Sequence, residues 1–147
     1  MVTILWPDDT KEVIDAIRGT IGRDVSFYYV ASSIACEICS LDPVSNLSSD
    51  PFCIYCSGLY WIPIYSGYTI SAHVTWSPSE TLSWWTAGQQ FDGDCRIQVE
   101  YSAQIAAIID QAQYVMVDDK TLEVSNKIYR GVKELNRIIL NLILKEK

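Results

Sequence analysis

The sequence predicts a mainly β chain, a small antiparallel barrel or sandwich, and three observations carry that expectation. Apolar and polar residues alternate over several short runs, turn-forming Gly, Pro and Asp residues punctuate them, and few segments show helical spacing. The 147 residues suit a single domain spanning 1–147, and a 49% hydrophobic content can supply its core.

Asp9-Thr10 followed by Glu12 marks a helix start, and Val13, Ile14, Ala16, Ile17 and Ile21 recur at helical spacing until Gly19 and Gly22 weaken and stop it. From Asp24 the period falls to two: Val25, Phe27 and Tyr29 alternate with Ser26 and Tyr28 in a first strand. A second strand is expected over Leu59–Tyr65, with Pro63 marking an edge or bulge and Gly67 a turn. The clearest strand follows, with Ile70, Ala72, Val74 and Trp76 on one face and Thr69, Ser71, His73 and Thr75 on the other.

His73, the single histidine, thus falls on a polar face, where a solvated strand residue is expected rather than a catalytic base. Ser77 to Gln90 reads as a long connection carrying Trp84-Trp85, either folded back on the core or inserted into a partner. After a turn at Phe91-Asp92-Gly93-Asp94, Cys95, Ile97, Val99 and Tyr101 point one way, which makes Cys95 a small core residue. Ser102 caps a short second helix through Ala112. Two strands, Tyr114–Val117 and Leu122–Ser125, flank an Asp118-Asp119-Lys120 hairpin turn. Residues 135–145 fit either helix or strand, and their two-sided apolar character with several isoleucines favours a buried strand.

Two Cys-x-x-Cys hooks, Cys36/Cys39 and Cys53/Cys56, interrupt this pattern, separated by the segment Ser40 to Phe52. Each hook offers two thiolates from one turn, and four thiolates complete the closed tetrahedron of a structural zinc site. A zinc-binding loop over residues 34–58, inserted between early strands, is the expectation. Asp42-Pro43 and Asp50-Pro51 set turns around a polar stretch too short to carry a core of its own. Iron in a four-thiolate cage is an alternative, and the glycine of Cys53-Ile-Tyr-Cys-Ser-Gly58 would suit its turn. Two disulfides are the third reading. Met1-Val-Thr-Ile-Leu-Trp-Pro lacks the basic start, apolar run and cleavage site of a signal peptide, so a reducing compartment is expected and disulfides are disfavoured.

The net charge of −7 and the scattered basic residues argue against a protein that grips phosphate backbones. No apolar run approaches the length of a membrane span.

Several stretches in order along the chain resemble tailed-phage virion proteins of the head-to-tail connector, the head-closure and adaptor type. They are Ile17-Arg-Gly-Thr-Ile-Gly-Arg-Asp-Val-Ser-Phe-Tyr28, Cys36-Glu-Ile-Cys39, Leu41-Asp-Pro-Val44, Ser49-Asp-Pro-Phe-Cys-Ile-Tyr-Cys-Ser-Gly58, Gly93-Asp94, Tyr114-Val-Met-Val-Asp118, and Arg130-Gly-Val ahead of Leu135-Asn-Arg-Ile-Ile139. Ile54 departs from the proline often found in such knuckles, and the tail is unusually compatible with a helix.

The resemblance implies a small β-barrel assembled as a homo-oligomeric ring in the virion neck, between the portal or adaptor and the tail, made in the host cytoplasm. It implies no reaction and hence no catalytic residue. An acidic ring suits DNA passage, because like-charged walls do not bind the sliding duplex. The opening helix and the Trp84-Trp85 loop are the candidates for contacts between copies. A zinc-ribbon module binding a protein or nucleic-acid partner is the alternative; Glu37, Asp42 and Asp50 beside the hooks disfavour nucleic acid. An enzyme would need a convergent polar constellation, and His73 with scattered carboxylates does not form one.

Overall fold

Period-two alternation becomes a barrel wall in the computed structural model, which describes residues 9–76, 94–132 and 134–145. Helix α1 (Thr10–Ile21) leads into β1 (Arg23–Ala35) and β2 (Trp61–Trp76); β3 (Cys95–Glu100), α2 (Ala103–Gln111), β4 (Ala112–Val117), β5 (Lys120–Val132) and β6 (Glu134–Leu144) follow. The strands close into an antiparallel barrel in the order β1-β2-β3-β6-β5-β4. Mainly β architecture with an N-terminal helix and a short second helix is therefore what the chain adopts. Contacts divide it into two compact units, Tyr29–Gly67 and the remainder.

In the barrel unit the inward positions are those that alternation selects. Val25 and Phe27 of β1, Ala72 of β2, Ile97 and Val99 of β3, Val115 and Val117 of β4, Leu122 of β5, and Ile138, Leu140 and Leu142 of β6 are fully buried. Each buried Val, Leu, Ile or Phe side chain among them contributes about 1.5–3 kcal/mol by leaving water. Cys95 sits in the same layer at 0% exposure, as its phase predicts. Ile109 of α2 joins this core. The Ser102 hydroxyl caps α2 by accepting the Ile105 N–H at 3.1 Å. At the β1–β4 seam Tyr28 stacks on Tyr114 with ring centres 4.8 Å apart.

Residues 135–145 resolve as strand. β6 pairs with β3 from Glu100↔Arg137 to Cys95↔Leu142, and with β5 along its other edge. One face of β6, Ile138, Leu140 and Leu142, is fully buried in the barrel, whereas Ile143 on the other is 40% exposed. Asn141 is tolerated there at 6% exposure because its carbonyl accepts the Arg96 Nε–H at 3.0 Å.

Two expectations change. Gly67 is not a turn: β2 runs unbroken through it, because β1 continues alongside. Ser26 and Thr69 hydroxyls meet at 2.8 Å and the Cys36 N–H reaches the Tyr60 carbonyl at 2.8 Å, one antiparallel ladder on both sides of the glycine. Second, β5 extends to Val132 instead of ending near Ser125; a register shift between Val124 and Asn126 hides the continuation by breaking the alternation. Helix α1 keeps Val13, Ile17 and Ile21 about half exposed, while Arg18 is buried. Pro63 lies where β2 has no β3 partner, since that pairing spans only His73 to Trp76. The Trp84-Trp85 connection and the Phe91-Asp92-Gly93 part of the following turn lie outside the described residues.

Candidate metal centre

The second unit, Tyr29–Gly67, contains the C-terminal part of β1, the N-terminal part of β2 and the cysteine segment between them. Its first hook follows β1 directly. There the Cys36 N–H to Tyr60 carbonyl bond closes the strand pair and sets the first sulfur beside the residues that follow the second hook.

Between the hooks the chain builds its own turns, more than its polarity suggests. Asp42 accepts the Val44 N–H at 3.0 Å and the Ser45 hydroxyl at 2.7 Å, and the Ser45 hydroxyl together with the Val44 N–H lowers its carboxyl pKa. Asn46 takes the left-handed conformation (φ 57°), the Leu41–Ser48 bridge closes the turn, and Ser40 and Ser49 bond through their hydroxyls at 2.8 Å. Asp50 accepts the Phe52 N–H at 3.0 Å, which starts the second hook.

That hook ends in two left-handed residues, Ser57 (φ 51°) and Gly58 (φ 81°). A Cβ on Gly58 would stand 2.8 Å from the Pro51 carbonyl oxygen, so the turn requires glycine both for its φ and for its space.

These turns bring all four sulfurs within 4.8 Å of one another. Cys36 and Cys53 Sγ are 3.9 Å apart, and Cys39 and Cys56 Sγ 4.0 Å. A regular tetrahedron with metal–sulfur bonds of about 2.3 Å has edges of about 3.8 Å. A disulfide needs about 2.05 Å. All five cysteines are free thiols, so the disulfide reading fails and a four-sulfur cage fits. Cys36, Cys53 and Cys56 are buried, Cys39 half-buried, and Tyr60 and Ile62 pack against them.

Hydrogen bonds prepare the cage for negative charge. Ser48, 8% exposed, accepts the Asp50 N–H at 3.1 Å, and its hydroxyl favours the thiolate form of both Cys39 and Cys56. Burial works against the Cys56 thiolate, but backbone N–H groups of Tyr60 and Gly58, with Cys53 and Ser48, bring that thiol down to about 6. At Cys39 the Ser48 hydroxyl also favours the thiolate, yet Cys53, burial, Cys36 and Cys56 outweigh it and push the thiol up to about 12. Four thiolates this close would repel each other. A cation at the centre removes that repulsion, and the donor set therefore fits a thiophilic metal ion.

The four predicted ligands are thus brought together, while Cys95 belongs to the separate barrel core. Ser48 and the Tyr60 N–H were not foreseen; only Gly58 gave a sequence signal of the turn that aims these donors. His73 is half-buried beside Gln98 and Arg137 in the barrel unit. Among the described residues no helix is long and apolar enough to cross a membrane. Compared with protein-family models, curated proteins and solved structures, the chain matches none.

Proposed function

We propose that this chain is a non-catalytic structural subunit of a tailed-phage head-to-tail connector, in which a zinc ion held by Cys36, Cys39, Cys53 and Cys56 stiffens a docking hairpin. The observation that carries this reading is the chemistry of the cysteine segment's surface. Phe52 is 89% exposed, Ile54 87% and Val44 93%, and Ile38, Tyr55 and Leu59 are also exposed. A cleft of about 520 Å³ lined by Ile34, Ile38, Tyr55 and Ile62 lies beside Cys36. Apolar side chains displayed on a cross-linked loop mark a protein contact surface.

Residues 29–67 contain no Lys or Arg, while Glu37, Asp42 and Asp50 are acidic. Such a surface repels phosphates and suits an apolar, basic-rimmed partner. Portal or adaptor and tail proteins are the partners in this reading, and a homo-oligomeric ring in the virion neck is the assembly. The exposed stripe Val13, Ile17 and Ile21 on α1 is a second apolar face available for head-to-tail contact between copies. Duplex DNA passes through the lumen without sequence-specific binding, consistent with the charge of −7.

Zinc is preferred because a closed four-thiolate site leaves no open position for chemistry, and zinc is the ion such structural sites ordinarily use. Elemental analysis should find about one zinc per chain in a colourless protein; visible thiolate-to-iron absorption would replace zinc by iron. Electron microscopy of intact particles should place the subunit as a ring in the neck, and its absence from particles rejects the virion reading. The same exposed hairpin supports one other reading, a zinc-ribbon module for a non-virion protein partner. A chain that stays monomeric with virion components and binds elsewhere through Phe52 and Ile54 would establish it.

A further inference from the structure

We propose that the cleft between α1 and the β2–β3–β6 wall of the barrel binds a carboxylate borne on a short aliphatic stem, gripped by Arg137 and Arg18 and walled by Ile17 and Ile21. The inference rests on the barrel unit alone and is independent of the metal.

The barrel's inward residues fix what faces outward. Val74, Ile97, Val99 and Ile138 enter the core, so the intervening His73, Gln98 and Arg137 stand on the outer face of three adjacent strands. His73 is the cross-strand partner of Gln98, and Arg137 lies opposite Glu100, two residues further along β3. Helix α1 covers them with Ile17, Arg18 and Ile21, leaving a cleft of about 230 Å³.

Charge in this cleft has the opposite sign to the protein's net −7. Arg18 is only 7% exposed and donates through Nη1 to the Asp15 carboxylate at 2.7 Å, so one guanidinium is balanced within α1. Glu100, the register neighbour of Arg137, lies 4.0 Å from the Lys11 ammonium. Arg137 keeps a buried Nε with no hydrogen-bond partner. The rest of its half-buried guanidinium lines the cleft, where an anion supplies an acceptor.

Shape narrows the anion. A planar guanidinium fork matches a carboxylate through two parallel N–H···O bonds. The isoleucine walls favour a ligand with an apolar stem over a fully hydrated inorganic ion. At roughly 30 Å³ per water-sized group, the cleft accepts about eight non-hydrogen atoms, fewer than a nucleotide needs. The carboxylate comes either from a free short-chain acid or from an acidic side chain of a second copy of this chain.

Because His73 is the single histidine, its imidazole proton resonances report on this cleft without ambiguity. Hexanoate titrated into the dilute full chain should move them saturably, about tenfold more tightly than hexanol or inorganic phosphate. Arg137→Gln should weaken hexanoate about tenfold with the barrel's backbone amide spectrum retained. If that variant loses its folded spectrum, Arg137→Lys, which keeps the charge but not the fork, should give a loss of about fivefold.

A dilution series without added acid separates the two sources. Resonances that move with protein concentration, and that hexanoate drives to the same associated-state position, assign the carboxylate to a second copy. Resonances indifferent to dilution assign it to a free acid. Hexanol binding as well as hexanoate, no saturable movement, or unchanged affinity in a folded Arg137 variant overturns the proposal.

Discussion

Asp118 Oδ2 accepts a 2.6 Å hydrogen bond from the guanidinium of Arg23, 95 residues earlier in the chain. The same oxygen accepts the Trp76 indole N–H at 2.7 Å. One carboxylate thereby ties the start of β1 and the end of β2 to the β4–β5 turn, at the end of the barrel where three chain segments meet. Asp118 is left-handed (φ 47°), a conformation that asparagine tolerates. Asp118→Asn removes the charge alone and, because both partners are partly exposed, should cost about 1 kcal/mol, or about 3 °C in the thermal midpoint. Combined with Arg23→Gln the losses should be less than additive; full additivity in circular-dichroism melts would show that the pair is uncoupled.

Chelation should separate the two units. The barrel core contains none of the four cage cysteines, and the buried cluster of the second unit consists of three of them. Structural zinc binding supplies folding free energy on the order of 10 kcal/mol. Hydrogen exchange after metal removal should therefore accelerate across residues 36–60 while amides of β3 and β6 remain protected. Uniform acceleration would mean that the metal supports the barrel as well.

Ser48 should tune metal affinity without being a ligand. Its hydroxyl accepts the Asp50 N–H and favours the thiolates of Cys39 and Cys56 in a nearly closed environment. Ser48→Ala leaves four thiolates but removes that donor, and such losses typically weaken metal binding about 10- to 100-fold. Competition against a chromophoric chelator reads the change directly. Equal affinity in the two proteins would reduce Ser48 to a turn residue.

The parts legible in sequence are those governed by local chemistry. Hook spacing announces the four sulfurs because two thiols in one turn have little other use, and alternation announces Ile97, Val99, Leu140 and Leu142 because each strand has one inward face. Gly67 and β5 were illegible for a different reason. Whether a strand continues past a glycine or a bulge is decided by its neighbour, β1 or β6, and not by its own residues. His73 and Arg18 carry no sequence signal of the cleft, because only the docking of α1 on the wall brings them together. Ser48 carried no signal, since a serine among serines in a polar loop looks like solvated turn.

Cys95 should shape the alkaline limb of stability. Burial first, then the Asp118 carboxylate, push its thiol up from 9.0 to about 11, while Arg23 works the other way. The folded state thus holds the proton more tightly than the unfolded chain. Its contribution is fully present below pH 9 and is lost as pH rises through about 11. Cys95→Ala should flatten that limb relative to the parent protein in urea titrations. In the chelated native protein a thiol reagent should count four cysteines, the fifth reacting only after denaturation; five at once would contradict the burial of Cys95.

Two glycines at the end of α1 should respond oppositely to the same change. Around Gly19 an added Cβ meets nothing within 4 Å, whereas at Gly22 it would stand 2.3 Å from both the Arg18 carbonyl oxygen and Ser71 Oγ. Gly19 lies inside the helix, so Gly19→Ala should stabilise by about 0.5–1 kcal/mol by lowering the entropy of the unfolded chain. Gly22 ends α1 against Ser71 and Ala72 of β2, and its alanine variant must displace the helix end from the strand. A loss of about 1–3 kcal/mol follows from overpacking there. The displacement also widens the cleft above His73, so the Gly22 variant should shift the His73 resonances while the Gly19 variant leaves them in place. Urea midpoints that move in the same direction for both substitutions would show that α1 is not seated on the barrel at Gly22.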